Sequence, residues 1–192
     1  MQILRASQHR RMPWKNGGGE TAEIAVEPAD AALDAIDWRI SMARVDGDGP
    51  FSTFPGIDRT LAILAGAGLR LHVASMRSVE LTLGSAPHPF PADVATRAEL
   101  LGGPITDLNV MTRRGRFLHR VRREQVGVAR TLSIAGAPTL IVCADGRARL
   151  GAEGVEVFIG IRDTALLAGG TASLRVLGDP AASLLIVELA PT

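Results

Sequence analysis

Hydrophobic and polar residues alternate along most of the chain, and a glycine or proline interrupts the pattern about every 8 to 15 residues. Alternation with period two predicts β-strands that are buried on one face, and the interruptions predict the turns between them. Ten segments have this character: ETAEIAV, DWRISMARV, GLRLHVA, SVELTL, ITDLNVMTR, TLSIAG, TLIVCAD, VEVFIG, ASLRVLG and SLLIVEL. Helical patterns are confined to the alanine-rich residues 29–36 and to a second short candidate at residues 92–101.

Many short strands with regular turns predict an all-β sandwich, barrel or jelly roll. An internal similarity refines this prediction. RTLAILAGAGLRL, which starts at Arg59, aligns without gaps on PTLIVCADGRARL, which starts at Pro138, and Thr60 falls on Thr139. Each copy reads as a strand, a tight turn and a returning strand. The similarity therefore predicts two similar antiparallel sandwiches in one chain.

Composition narrows the classes of function. The 192 residues are 46% hydrophobic, and the formal net charge is +1, so no bulk charge favours nucleic acid or an anionic membrane. No apolar run approaches the ~18 residues of a spanning helix. The N-terminus lacks the apolar segment of a signal peptide, and the lone Cys143 cannot form an intramolecular disulfide. We therefore expect a cytoplasmic protein.

Several kinds of catalytic or cofactor site find no support in the sequence. A metal site needs three or four converging ligands, yet the four histidines lie far apart and no His-x-His pair occurs. In KNGGGET, the lysine precedes the glycines and a strand follows them, unlike a phosphate-binding loop. No Gly-x-Ser-x-Gly motif is present, and Cys143 lies in an apolar strand. We expect no metal and no cofactor.

One set of polar residues remains as a candidate site. Alternation places Arg39 and Ser41 on one face of a strand, and Asn109 and Arg113 follow in a later strand. Arginine, lysine, asparagine and serine are the residue types that bind a carboxylate or an amide in a concave site. The same residues could instead form structural ion pairs, for example between Arg59 and Asp58. Residue chemistry alone leaves both interpretations open.

Three long motifs carry a resemblance to a known family. MPWKNGGGETAEIAV, DWRISMARVDGDGPFSTFPGIDRTLAILAGAGLRLHV and GPITDLNVMTRRG are similar, in that order, to the HutD/Ves family of bacterial proteins. The resemblance implies a single-chain bicupin, that is, two antiparallel jelly-roll sandwiches with one or two short helices. It divides the chain into residues 1–104, which carry the pocket, and residues 105–192. Homodimers are usual among cupins.

The resemblance also implies a function. It predicts a metal-independent protein that binds a small anionic metabolite, a carboxylate or amide, in a regulatory role linked to histidine utilisation or to stress responses. A metal-free isomerase or an amide or formyl hydrolase is the alternative. The residues expected to bind the ligand, carried over from the family motifs, are Trp14, Lys15, Asn16, Arg39, Ser41, Asp58, Arg59, Asn109, Met111 and Arg113.

Two departures from the family pattern concern the pocket. The family commonly has threonine and then a basic residue after the glycines, where this chain has ETAE. A Phe-x-Gly-Asp segment is replaced by PFPAD, which lacks the glycine. The three consecutive glycines that begin at Gly17 predict a sharp turn, which either presents Lys15 and Asn16 to the mouth of the first sandwich or is a plain hairpin turn.

Overall fold

The structure, a computed structural model, describes residues 1–135, 138–152, 154–167, 169 and 173–192. In these ranges the chain forms strands and one 3-10 helix, Ala6–Gln8. The strands are β1 (Gln2–Leu4), β2 (Arg10–Pro13), β3 (Gly19–Glu27), β4 (Trp38–Val45), β5 (Gly49–Pro50), β6 (Ile57–Ala65), β7 (Leu69–Val73), β8 (Val79–Leu81), β9 (His88–Pro91), β10 (Thr96–Leu100), β11 (Ile105–Arg113), β12 (Phe117–Val126), β13 (Arg130–Ser133), β14 (Thr139–Ala152), β15 (Val155–Gly160), β16 (Thr164–Leu167) and β17 (Ser173–Pro191).

The all-β prediction is confirmed, because each of the ten alternating segments contributes to a strand. Gly136, the last residue of TLSIAG, and Ala172, the first residue of ASLRVLG, lie outside the described residues. The two predicted helices are wrong. Residues 29–36 form turns, with Asp30 at a φ of 59°, and residues 92–101 contain β10. A segment of eight residues is too short to hold a helix without strong packing on one face.

Two compact units divide the chain. The continuous unit comprises residues 10–118 together with Thr192, and the split unit comprises residues 1–9 and 119–191. This division differs from the predicted boundary between residues 104 and 105. The reason is that β11 pairs with β4 on one side and β6 on the other, so it lies inside the sheet of the continuous unit.

Two antiparallel sheets form the continuous unit. One has six strands in the order β2-β3-β4-β11-β6-β9, and the other has four in the order β5-β10-β7-β8. Apolar residues from both sheets pack together in one core cluster, so the sheets face each other. Its buried members are Ala43, Val45, Leu61, Ile63, Leu69, Leu71, Val73, Leu81, Phe90, Ala98 and Ile105. A second cluster joins Ile36, Ile57, Ala92 and Met111.

The split unit contains a seven-stranded antiparallel sheet built on the long strands β14 and β17. The side chains of its core are apolar almost throughout. They include Ile141, Cys143, Leu150, Leu184 and Ile186. Alternation along β14 and β17 produces this face, as it does in the continuous unit.

Strand pairing in the two units follows one pattern. β6 pairs with β9 and β11, and β7 pairs with β8 and β10. The first part of β14 pairs with β16 and β17, and its second part pairs with β15 and β17. The predicted alignment of RTLAILAGAGLRL on PTLIVCADGRARL differs by one residue from the structural correspondence in the first strand of each copy. There the core-facing Leu61 corresponds to Ile141, whereas in the returning strand Leu71 corresponds to Leu150 as predicted.

Candidate functional site

A group of polar side chains lies on the face of the six-stranded sheet that is directed to the core of the continuous unit. The strand register brings them together. Asn109 is opposite Ser41, and Met111 lies between Arg39 and Arg59 on the neighbouring strands. Residues directly opposite one another share a face of the sheet. Five of the ten predicted ligand-binding residues are therefore neighbours here: Arg39, Ser41, Arg59, Asn109 and Met111.

Arg59 is buried, with 8% of its surface exposed. Its Nε and Nη2 both donate hydrogen bonds to Oδ1 of Asn109, the first over 2.7 Å. The guanidinium carbon lies 4.5 Å from the ring centroid of Phe51 and 5.7 Å from that of Phe90. Burial lowers the pKa of Arg59 to about 10, against the attraction of Asp107. The group is still a cation at neutral pH.

Asp107 lies on the same face and is fully buried. Its Oδ1 accepts a hydrogen bond from Nδ2 of Asn109, while Oδ2 has no hydrogen-bond partner among the described residues. Burial raises the pKa of Asp107 to about 7, although Arg59, Asn109 and a hydrogen bond from the backbone of Ala43 oppose this shift. The Asn109 amide thus joins a buried cation to a buried carboxyl group.

Arg39 forms an ion pair that is separate from the Arg59–Asn109–Asp107 network. Its Nε donates to Oε2 of Glu23 over 2.6 Å, and the two side chains are only 9% and 15% exposed. Glu23 stands opposite Ser41 across β3 and β4. Removing one partner of such a pair would leave an uncompensated buried charge. Glu23 was not among the predicted residues, although its place in ETAEIAV is compatible with a core-facing position.

Aromatic rings line one side of the polar group. Phe51 and Phe90 meet edge to face, with centroids 6.4 Å apart. His88 stacks on Phe90 at 6.3 Å and is opposite Leu61 in the register. Its Nε2 is buried without a partner in the described parts of the chain, and burial lowers its pKa. Phe51 could have been anticipated from its motif; no pattern in the sequence indicates His88.

The Trp-Lys-Asn segment stabilises a hairpin between β2 and β3 instead of contacting Arg59. Lys15 and Asn16 are exposed, and Asn16 Oδ1 accepts a hydrogen bond from the Gly18 amide at 3.1 Å. Trp14 is half-buried against the core, and its Nε1 donates to Thr21 over 2.8 Å. The structure therefore does not bring Lys15 and Asn16 into the polar group.

Two of the glycines that follow Asn16 are required for different reasons. Gly17 has a φ of 69°, in the left-handed region where glycine is favoured. At Gly19, a Cβ atom would lie 2.1 Å from the carbonyl oxygen of Arg44. The backbone of β3 thus approaches β4 too closely for any side chain.

Asp58 and Arg113 make structural contacts. Asp58 accepts from Arg114 over 2.6 Å at the surface. Arg113 donates to the backbone carbonyl oxygens of Ile36 and Asp34, at 2.7 and 2.6 Å, and so holds the turn segment before β4. For these two residues the structural interpretation left open by the sequence fits the observed contacts.

No group of three or more histidine, cysteine, aspartate or glutamate side chains is placed to hold a metal ion within the described residues. In the same ranges, no helix is long and apolar enough to cross a membrane. A surface cleft of about 580 Å³ lies on the split unit, but its charged residues Glu156 and Arg175 pair with each other at 3.2 Å. The buried polar group of the continuous unit is the stronger candidate.

The antiparallel sheets and the core-facing polar group define an all-β protein with a cupin-like fold. A cupin 2 conserved barrel domain protein from Leptotrichia buccalis superposes with a TM-score of 0.57 at 10% identity, covering 97% of this chain and 100% of that one. At this identity the comparison concerns the fold alone.

The family follows from closer matches. The model of the HutD family matches residues 6–185, and the chain belongs to that family. An uncharacterised 21.2 kDa protein in the hutC 3′ region of Pseudomonas putida is 36% identical over 170 residues, covering 88% of this chain and 87% of that protein. Protein Ves of Citrobacter koseri is 38% identical over 117 residues, covering 59% and 60%. The resemblance to the HutD/Ves family is confirmed.

Two solved structures agree with the family assignment. A conserved protein of unknown function, PA5104 of Pseudomonas aeruginosa PAO1, has a TM-score of 0.91 at 31% identity and covers 98% of this chain and 97% of its own. The structure of HutD from Pseudomonas fluorescens SBW25 in a formate condition has a TM-score of 0.83 at 28% identity. The match covers 100% of this chain and 98% of that one.

Proposed function

We propose that the continuous unit binds a small carboxylate metabolite at Arg59, without a metal, and that the protein acts as a binding component and not as an enzyme. The observation that carries the proposal is the environment of the Arg59 guanidinium. It is buried between two aromatic rings, and the described residues offer it one neutral amide oxygen as acceptor. A buried cation is costly unless an anion compensates it, and Asp107, the nearby carboxyl group, has a pKa raised to about 7 and is ionised only in part at neutral pH.

A bound carboxylate would supply that compensation directly. Arginine presents parallel N–H groups that match the two oxygens of a carboxylate, and such charge-assisted hydrogen bonds are stronger than neutral ones. Asp107 also carries a negative charge when ionised, but Asn109 stands between it and Arg59. The hydrogen bonds of Arg59 to Asn109 come from Nε and Nη2, and both go to one neutral amide oxygen.

The names of relatives support a link to histidine utilisation. One relative is described by its place in the hutC 3′ region, and a solved relative is named HutD. A regulatory protein of that pathway would need to sense a small intermediate, and a carboxylate fits the charge of the site. The cytoplasmic location and the homodimer expected from the sequence stay predictions.

The bicupin architecture belongs to the same proposal. The shared pairing pattern supports one cupin half in each unit, with ligand binding confined to the continuous unit. The positions in the split unit that correspond to Asp107 and Asn109 are the apolar Leu184 and Ile186. A duplicated fold in which one copy keeps polar residues and the other fills its core explains this difference.

Asp107 also favours a second function, a metal-free isomerase or amide or formyl hydrolase. A general base works best when its pKa lies near the working pH, and burial raises the pKa of Asp107 to about 7. Its Oδ2 has no partner among the described residues. Turnover of a formylated or acylated amino acid by the purified protein, lost in Asp107→Asn, would favour the enzyme.

Thermal unfolding with matched pairs of small molecules tests the binding proposal. Formate and acetate should raise Tm, whereas the neutral formamide and acetamide should not, at equal ionic strength. A ligand at a hundredfold excess over Kd stabilises the folded state by ~2.7 kcal/mol, which corresponds to a rise of about 5–10 °C for a chain of this size.

Two variants test whether the rise in Tm with formate arises at Arg59. Arg59→Ala should abolish the rise in Tm. Arg70→Ala is the matched control, because Arg70 is an exposed arginine of the same unit whose partner is Glu80 on the surface. It should respond to formate like the parent protein. An equal response from Arg59→Ala and the parent would refute the proposed site.

A further inference from the structure

Asp107 combines complete burial with an unused hydrogen-bonding atom. None of its surface is exposed, and its Oδ2 has no partner in the described residues. Its other oxygen is held by Asn109, the residue that also binds Arg59. A buried polar atom without a partner costs free energy. Carboxylate binding at Arg59 does not by itself explain why an acid stands here.

The charged and titratable groups around Asp107 are few. Arg59 on β6 is the cation that acts on it most directly, and Arg39 on β4 is already paired with Glu23 on β3. His88 on β9 faces the same core. The four-stranded sheet contributes apolar side chains to the cluster opposite, namely Leu69, Leu71, Val73, Leu81 and Ala98. The charge of Asp107 is thus compensated chiefly by Arg59.

We propose that the site takes up one proton together with its carboxylate ligand, and that Oδ2 of Asp107 accepts this proton from solvent. The inference rests on the proposed function. A carboxylate that binds the Arg59 guanidinium takes over the positive charge that had compensated Asp107. Two negative charges would then share one cation in a medium of low dielectric constant, and protonation of Asp107 removes the excess.

The electrostatics of the free protein agree with this coupling. Burial already raises the pKa of Asp107 to about 7, so the group is partly ionised near neutral pH. A second anion at Arg59 raises that pKa further. Above pH 7 the apparent Kd should therefore rise by up to tenfold per pH unit, as expected for the uptake of one proton. Well below pH 7, Asp107 is protonated beforehand and the dependence disappears.

Calorimetric titration with formate counts the protons. Formate is ionised throughout the range from pH 5.5 to pH 8.5, so any proton comes to the protein. At pH 8 the binding enthalpies in phosphate and in Tris should differ in proportion to the ionisation enthalpies of the two buffers, with a slope close to one proton per ligand. At pH 5.5 the slope should be close to zero.

Two variants identify the residue. Asp107→Asn should bind formate with a Kd that does not change between pH 7 and pH 8.5, and without proton uptake. His88→Gln removes the other titratable group of this core. Since burial lowers the pKa of His88 below its ordinary value, this variant should keep the pH dependence above pH 7. If Asp107→Asn does not fold, the proton uptake that calorimetry measures for the parent protein at pH 8 and pH 5.5 tests the proposal.

The outcomes separate the two proposals. Formate binding with no proton uptake at pH 8, or with a constant Kd, would overturn the role of Asp107 and leave the binding site intact. Loss of the pH dependence in His88→Gln would assign it to the histidine and contradict the inference. If neither formate nor acetate binds at any pH from 5.5 to 8.5, the proposed function fails, and this inference fails with it.

Discussion

Replacing Asp107 by asparagine should remove a pH-dependent loss of stability. Burial raises the pKa of Asp107 in the folded protein to about 7, above the ~3.9 of an aspartate in an unfolded chain. Between these two values the folded state binds more protons than the unfolded state. The free energy of unfolding therefore falls as the pH rises through this range, which is the reverse of the usual behaviour of a paired aspartate.

The magnitude follows from the two pKa values. Each unit of difference corresponds to ~1.4 kcal/mol. Over the interval from pH 5 to pH 8, ionisation of this one group lowers the free energy of unfolding by roughly 2.5 kcal/mol. Asparagine keeps the size of the side chain and can still contact Asn109, but it does not titrate. The variant should lack this part of the pH dependence.

Urea unfolding at pH 5, 6, 7 and 8 provides the measurement. The difference in unfolding free energy between the parent and Asp107→Asn should change by roughly 2.5 kcal/mol in favour of the variant as the pH rises. Taking the difference at each pH removes contributions from other groups. A difference that stays constant within ~0.5 kcal/mol would show that Asp107 ionises at its ordinary pKa, and the account of the buried acid would be refuted.

Three further predictions concern stability and reactivity. Gly19→Ala should lower the free energy of unfolding by about 1–3 kcal/mol through overpacking, because its Cβ would lie 2.1 Å from the Arg44 carbonyl oxygen. Gly18→Ala is the control and should change this free energy by no more than ~0.5 kcal/mol. Similar values for the two variants in chemical unfolding would contradict this prediction. Arg113→Leu should lower the free energy of unfolding by about 1.5–3 kcal/mol, because it loses two hydrogen bonds to backbone carbonyls. Arg44 is exposed, so the control variant Arg44→Leu should lower it by less than ~1 kcal/mol in the same measurement. Cys143 is buried, which raises its thiol pKa to about 12, so a disulfide reagent at pH 8 should modify it only after unfolding; rapid reaction of the native protein would be evidence against the described packing.

Much of the site was predictable from alternation alone. Arg39 and Ser41 occupy alternate positions in β4, and Asn109 and Met111 occupy alternate positions in β11. Period-two alternation therefore places each pair on one face of its strand. The family motifs added Arg59, which lies between Asp58 and Thr60 at the start of β6; the rest of that strand is apolar and gives no local signal for a functional arginine.

The partner of Arg39 was not predictable in the same way. Glu23 precedes a register shift between Glu23 and Ala25, where β3 has one residue more than β4. Such a bulge changes which residues face the core on either side of it. No sequence pattern gives its position, so alternation along β3 does not decide whether Glu23 points inward.

Tertiary pairing explains the remaining differences. The boundary predicted after residue 104 cut β11 away from β4 and β6, because sequence separation says little about which strands become neighbours. Lys15 was expected at the mouth of the sandwich, since the glycine turn could present it there. Its direction depends on the hairpin between β2 and β3, where the Gly19 backbone approaches β4.

A crystal structure of the protein at saturating formate would test carboxylate binding at Arg59 most directly. We expect a formate ion inside the continuous unit, with its oxygens within hydrogen-bond distance of the Arg59 guanidinium and beside the Phe51 ring. Formate bound elsewhere, or no formate at Arg59 while its hydrogen bonds to Asn109 persist, would refute binding at this site.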